Sequence, residues 1–195
     1  MFAGVAAKLA EDIAASDAVF VSMLAGVSLD RLAEMLGGEK KIIRIMPNTP
    51  VAVREGVVLY ETSANVTADM MDGFLNMMSQ AGKLFHLEES LMDVGAAVSG
   101  CGPAYAYLIL DAMADGGVAC VLPRPDAVRF AAQTLLGAAQ MVLETGKHPD
   151  QLKNNVCSPG GSTIQGVRTL EQRAVRAAVM DAVIAACEKN AALGK

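Results

Sequence analysis

The chain of 195 residues holds no tryptophan, only two histidines and four cysteines, and each scarcity removes a class of chemistry. His86 and His148 stand alone, and Cys101, Cys120, Cys157 and Cys187 form no Cys-x-x-Cys pair, so no ligand spacing is completed and no metal is expected. Widely spaced thiols fit a reducing compartment, which makes a cytoplasmic location the expectation. Basic residues are outnumbered, 16 Lys and Arg against 21 Asp and Glu, leaving a net charge of −5. Without a basic stripe to displace counterions, nucleic acid is not expected as a partner. No apolar run approaches the roughly 18–20 residues of a membrane span. The longest, residues 18–29, is interrupted by Ser22, Gly26 and Ser28, so no membrane partner is expected. A secretory leader is not expected either, because Met1-Phe2-Ala3 runs straight into an amphipathic pattern. Also missing is any Gly-x-Gly-x-x-Gly, the turn that opens a complete dinucleotide-binding domain.

What is abundant is apolar. Hydrophobic residues make up 53% of the chain and the mean hydropathy is +0.36. With no membrane span to absorb it, this excess predicts an extensive subunit interface. Phe2, Val5, Leu9 and Ile13 share a helical face. Residues 18–23 read as a buried strand, and Ser28 as the cap of a helix that Gly37-Gly38 ends. Residues 41–46, 57–60 and 83–87 read as further strands, with a helix capped by Thr67 before the last. Strands alternating with helices predict a largely parallel sheet. From about Leu91 onward the pattern is helical only, with Pro103 suited to the first turn of a long helix and Pro123 and Pro125 preceding a second. Shorter helices follow at residues 150–155 and 164–170, and a last one at 172–192. The expected fold is α/β plus all-α, a partial doubly wound parallel sheet over residues 1–92 followed by a helical domain over 93–195, with the break near residues 88–94.

Four segments could carry chemistry. Ala25-Gly26-Val27-Ser28 lies at a strand's carboxyl end, where doubly wound sheets bind ligands and where Gly26 would let a nucleotide approach the backbone; an ordinary strand-to-helix turn is the alternative. Asn48, between Pro47 and Pro50, could meet a neutral ring with its amide or bond its own backbone. Ser99-Gly100-Cys101-Gly102-Pro103 could cap a helix, form a hinge or admit a ligand. Ser158-Pro159-Gly160-Gly161-Ser162-Thr163 precedes an apolar helical pattern and can wrap N–H groups around a small anion. Asp111 and Asp115 sit four apart and could do acid–base work or lie on a solvated face. Gly116-Gly117 inside a helix costs about 1 kcal/mol per residue relative to Ala, which close helix packing would offset.

Val21-Ser22-Met23-Leu24-Ala25-Gly26-Val27-Ser28, Arg44-Ile45-Met46-Pro47-Asn48-Thr49-Pro50, the Ser99–Tyr105 segment, Ala112-Met113-Ala114-Asp115-Gly116-Gly117-Val118 and the segment from Leu152 to Glu171 occur in this order, and together they resemble the pyrroline-5-carboxylate reductases. The resemblance covers essentially the whole chain. It implies hydride transfer from NADPH or NADH to the C5 imine carbon of 1-pyrroline-5-carboxylate, giving L-proline in the last step of proline biosynthesis. It implies a Rossmann domain followed by a helical domain that interlocks into homodimers, often assembled into decamers. Ser158 and the backbone at Gly160, Gly161, Ser162 and Thr163 would hold the substrate carboxylate. The Thr163 hydroxyl would face the ring nitrogen as the catalytic group. Ala25 with neighbouring Gly26, Asn48 and Asn155 would contact the cofactor. Cys101 stands where many members carry Ser, and Gly146 stands where some carry a ligand-touching Glu. Relative to the family, the chain starts after the third or fourth strand and lacks the glycine-rich phosphate loop. Two further readings stay open: a truncated paralogue or fragment that acts only as a helical assembly module, and another oxidoreductase of similar architecture.

Overall fold

Local sequence signals place the first elements. The computed structural model describes Gly4 and residues 8–193, so Phe2 and Val5 of the first expected helical face lie outside the described residues. Helix α1 (Ala10–Ala15) buries Ile13. Strand β1 (Phe20–Ser22) leads to helix α2 (Leu29–Leu36), which Ser28 caps by accepting from Arg31 N at 3.2 Å and which Gly37 ends in the left-handed region. Strand β2 (Ile42–Pro47) and strand β3 (Gly56–Thr62) flank a 3-10 turn at Thr49–Val53. Helix α3 (Ala68–Met77), capped by Thr67, precedes strand β4 (Gly82–His86).

The four strands form one sheet in the order β1-β2-β3-β4. The β1–β2 and β3–β4 pairings are parallel, whereas β2 and β3 run antiparallel with Ile45 opposite Tyr60. The sheet is thus mostly parallel, and its one antiparallel pair has a simple cause. Only residues 48–55 join β2 to β3, and a parallel crossover needs about a dozen or more. β2 is buried on both faces. Ile42 packs with Ile13, Leu32 and Leu36 on one side, while Ile43 and Ile45 pack with Val58 and Phe74 on the other. Each such fully buried side chain contributes about 1.5–3 kcal/mol.

After a 3-10 turn at Glu89–Leu91 comes helix α4 (Met92–Ser99), which buries Met92, Ala96 and Ala97 and packs on β2 and β3. This element falls where the sequence suggests only a break. Contacts divide the chain later, after Pro103, and assign residues from Val183 onward to the sheet-containing unit. Ser99 does not cap the next helix; its hydroxyl donates to Gly95 O at 3.0 Å, since α4 is still helical there. Helix α5 (Gly102–Ala119), helix α6 (Arg124–Thr145), helix α7 (Pro149–Asn155), helix α8 (Ser162–Gln172) and helix α9 (Val175–Leu193) complete the chain. Among the described residues none of these helices is long and apolar enough to cross a membrane.

Residues Ala104–Ala182 form the second unit, and within it only Ala114, Ala127 and Ala131 are buried hydrophobics. Gly117 lets α5 approach α6, for a Cβ there would stand 3.4 Å from that of Ala127; at Gly116 it would meet nothing among the described residues. Asp115 pairs with Arg124 at 2.6 Å, both partly exposed, which favours the solvated reading of that carboxylate. Leu108, Phe130 and Leu143 are 71%, 59% and 82% exposed, so this unit presents large apolar side chains that its own core does not use.

Candidate functional site

The parallel pairing of β1 and β2 brings their carboxyl ends to one edge of the sheet. There a cavity of about 250 Å³ is lined by Ala25, Gly26, Pro47, Asp93, Cys101 and Asn190, among others. Gly26 has φ +70°, so its backbone turns left-handed and presents no side chain to the cavity. Ala25 and Gly26, two of the positions expected to meet a cofactor, line it together with Asp93 and Asn190, for which the sequence carries no signal. Asn190 donates to the Asp93 carbonyl at 3.1 Å across 97 residues, a contact with no local signature.

Asn48 is held on both sides of its amide. Its Oδ1 accepts from Val57 N at 2.9 Å, and its Nδ2 donates to Ser99 O at 2.9 Å. The side chain therefore fastens the β2–β3 turn to the end of α4, beside Cys101, and does not itself line the cavity. Of the two uses open to Asn48 in the sequence, the structure shows backbone bonding, including one bond far along the chain.

Behind the cavity lies a second group that sequence reasoning passed over. Arg44, 3% exposed in β2, pairs through Nη1 with Glu89 Oε1 at 2.9 Å and faces Asp93 Oδ1 from Nη2 at 3.6 Å. The same Glu89 oxygen accepts from Leu29 N at 2.7 Å, at the first residue of α2. The available signal was the charge itself, one cation within the apolar run Ile42-Ile43-Arg44-Ile45-Met46. With Leu29 N bound to Glu89 and Arg31 N to Ser28, the start of α2 already carries a carboxylate. That leaves it poorly suited to a phosphate. The cavity is also smaller than the roughly 300–1,000 Å³ of pockets that enclose a whole drug-sized ligand. Its small residues, Ala25, Gly26, Ala96 and Gly100 among them, could admit the ring end of a nicotinamide cofactor.

In the helical unit, the Ser158–Thr163 segment forms a tight turn. Gly161 N donates to Ser158 O at 3.1 Å, and Gly160 supplies φ +69°. A Cβ on Gly161 would collide with the Ser158 hydroxyl, so any side chain there would displace it. The turn delivers Ser162 and Thr163 as the first two residues of α8, which no side chain caps. The first N–H groups of this eleven-residue helix thus point out of its end without an intrahelical acceptor, and all but Gly161 of Ser158–Thr163 is exposed. The Thr163 hydroxyl bonds no described residue. Asn155 ends α7, is exposed, and borders a groove of about 520 Å³ with Met141, Leu152 and Val156. Nearby charges are paired: Lys153 with Asp150 at 3.0 Å and Arg176 with Glu171 at 2.9 Å. The hydrogen bond from each cation holds its carboxyl below the usual range.

The two clusters have the chemistry of a ring pocket and of an anion cradle. A family model described as pyrroline-5-carboxylate reductase dimerisation matches residues 89–193. The pyrroline-5-carboxylate reductase of Escherichia coli (strain K12) is 44% identical over 98% of this chain, which spans 72% of that relative's length. The Arabidopsis thaliana pyrroline-5-carboxylate reductase is also 44% identical, over 91% of this chain and 64% of its own length. The Plasmodium falciparum pyrroline carboxylate reductase, solved with NADP bound, superposes with a TM-score of 0.91 at 35% identity, covering 99% of this chain and 77% of that one. The chain belongs to the pyrroline-5-carboxylate reductase family.

Proposed function

We propose that this chain serves the NAD(P)H-dependent reduction of 1-pyrroline-5-carboxylate to L-proline. The observation that carries the reading, beyond family membership, is the uncapped start of α8 behind the Ser158–Gly161 turn. A helix end of this kind favours an anion by about 0.3–1 kcal/mol from its dipole, apart from individual hydrogen bonds. The substrate's carboxylate is held by the Ser158 hydroxyl and by the backbone N–H groups of Gly160, Ser162 and Thr163, while Gly161 N closes the turn on Ser158 O. Thr163, whose hydroxyl bonds no described residue, faces the ring nitrogen. A bound reduced nicotinamide supplies the hydride that adds to C5. As C5 is reduced, the nitrogen keeps or gains one proton. A threonine hydroxyl is too weak an acid to supply it alone, so Thr163 orients the nitrogen or relays a proton that comes from solvent or from protonated substrate.

Ala25 and Gly26 form the cofactor's ring wall, and Asn155 is a further cofactor contact. Asn48 acts through the wall it holds. Residues 93–195 serve as the substrate-binding and assembly part. The exposed apolar residues of the helical unit, together with the match to a dimerisation family, support a homo-oligomer. A decamer and a cytoplasmic location extend the same reading, the latter supported by four free cysteines.

The test is NADPH consumption with 1-pyrroline-5-carboxylate by the wild-type chain and by Thr163→Ala. The expected result is a kcat lowered about ten- to a hundred-fold by the substitution, with assembly unchanged. Unchanged turnover removes Thr163 from the mechanism. Assembly without any turnover by the wild-type chain overturns the enzymatic reading in favour of a helical assembly module.

A further inference from the structure

A charged residue in the middle of a central strand is costly. Removing a guanidinium from water is offset only by well-placed partners, and an apolar side chain would fill the same space without that demand. β2 nevertheless carries Arg44 on the face it shares with Ile42 and Met46, almost fully buried. Its two partners come from separate elements. Glu89 belongs to the 3-10 turn before α4, and Asp93 to the first turn of α4 itself. Glu89 reaches a third element as well, because its Oε1 also accepts from Leu29 N at 2.7 Å.

These contacts reach segments that line or adjoin the ring cavity. Leu29 opens α2 directly after the Ala25-Gly26-Val27-Ser28 loop; Asp93 lines the cavity from the first turn of α4, which ends at Ser99 two residues before Cys101; Met46 and Pro47 close β2 two and three residues beyond Arg44. One cation therefore ties together, through two carboxylates, the segments that must stay in register for the cavity to keep its shape. We propose that Arg44 is a positioning residue for the cofactor end of the site, acting through Glu89 on the Ala25–Gly26 loop and through Asp93 on the wall that carries Cys101. The planar fork of Arg permits this, since its two terminal nitrogens address two carboxylates at once. A lysine ammonium would reach one. The consequence for the cofactor rests on the reductase reading; the positioning of the loop does not.

The two parts separate experimentally. Amide hydrogen exchange reports the loop without any cofactor. In Glu89→Ala, exchange at residues 25–31 should rise about ten-fold or more, while β2 and β3 keep their protection. Glu89→Gln retains an acceptor for Leu29 N and should recover most of the protection. Direct titration with NADPH, followed by the cofactor's own fluorescence, should show about ten-fold or more weaker binding in Glu89→Ala and in Arg44→Lys. In turnover assays with saturating NADPH, kcat and the KM for 1-pyrroline-5-carboxylate should stay within about three-fold of wild type. A purely structural role would lower the active fraction and leave both KM values unmoved. The proposal is overturned if exchange at residues 25–31 is unchanged in folded Glu89→Ala. It is overturned equally if exchange rises while NADPH affinity stays within about two-fold. If the wild-type chain binds no NADPH, the reductase reading fails, and the exchange measurement still decides whether Arg44 and Glu89 set the loop.

Discussion

At the scale of single residues, the Ser158–Thr163 turn makes two separable demands on its glycines. Gly160 sits at φ +69°, where a side chain costs about 1–2 kcal/mol. Gly161 has ordinary angles but lies against the Ser158 hydroxyl. Gly161→Ala should therefore raise the KM for the substrate about ten-fold by displacing Ser158, with little change in thermal midpoint. Gly160→Ala should lower the midpoint as well. Steady-state kinetics beside a melting curve distinguishes the two. A glycine turn at a helix start was legible from residue types and spacing alone; its use as an anion cradle belongs to the proposed function. Asn48 was legible only as a choice between two uses, because its bond to Ser99 O joins residues 51 positions apart. Arg44 was visible as an odd charge in an apolar strand, but its meaning needs Glu89 and Asp93, which no local periodicity connects to it.

At the scale of elements, capping and glycine signals placed α2 and α3 well, since both ends of α2 use the residues whose side-chain or backbone chemistry predicts them. The antiparallel β2–β3 pair follows from the length of its connection, which strand patterning does not weigh. Helix α4 was missed for a different reason. Met92-Asp93-Val94-Gly95-Ala96-Ala97-Val98-Ser99 is short, rich in small residues and weakly patterned, and it becomes a helix by packing on the sheet. The junction of α7, α8 and α9 makes a prediction about acid. Asp150 and Glu171 have carboxyl groups held below the usual range by Lys153 and Arg176. Their contribution is present above the ordinary carboxylate range and is lost as pH falls through the lowered values. Lys153 is about a third exposed and the other three side chains about half, so the effect should be small and weakened by salt. Arg176→Ala should reduce stability slightly at neutral pH, and the difference from wild type should vanish as pH falls through the lowered carboxyl range. Denaturant midpoints across pH, at low and high salt, check this.

At the scale of the whole molecule, the composition already implied more apolar surface than one chain of this size needs to hide. Exposed apolar side chains occur in both units, but Ala104–Ala182 has little core to set against them: three alanines are its buried hydrophobics, and Leu108, Phe130 and Leu143 stand in the open. Folding of this unit should depend on a second copy, so its melting temperature should rise with protein concentration. Leu143→Asp should lower the oligomeric state seen by sedimentation and lower the melting temperature with it, whereas a monomer of unchanged stability would speak against a shared core. The central claim concerns chemistry, and the most direct measurement follows the hydride. NADPH deuterated at both C4 positions is incubated with 1-pyrroline-5-carboxylate and the chain, and the L-proline formed is examined for deuterium. The account predicts a single deuterium located at C5, with one cofactor oxidised per proline. Proline formed without deuterium at C5, or no proline at all from the assembled wild-type chain, would contradict it.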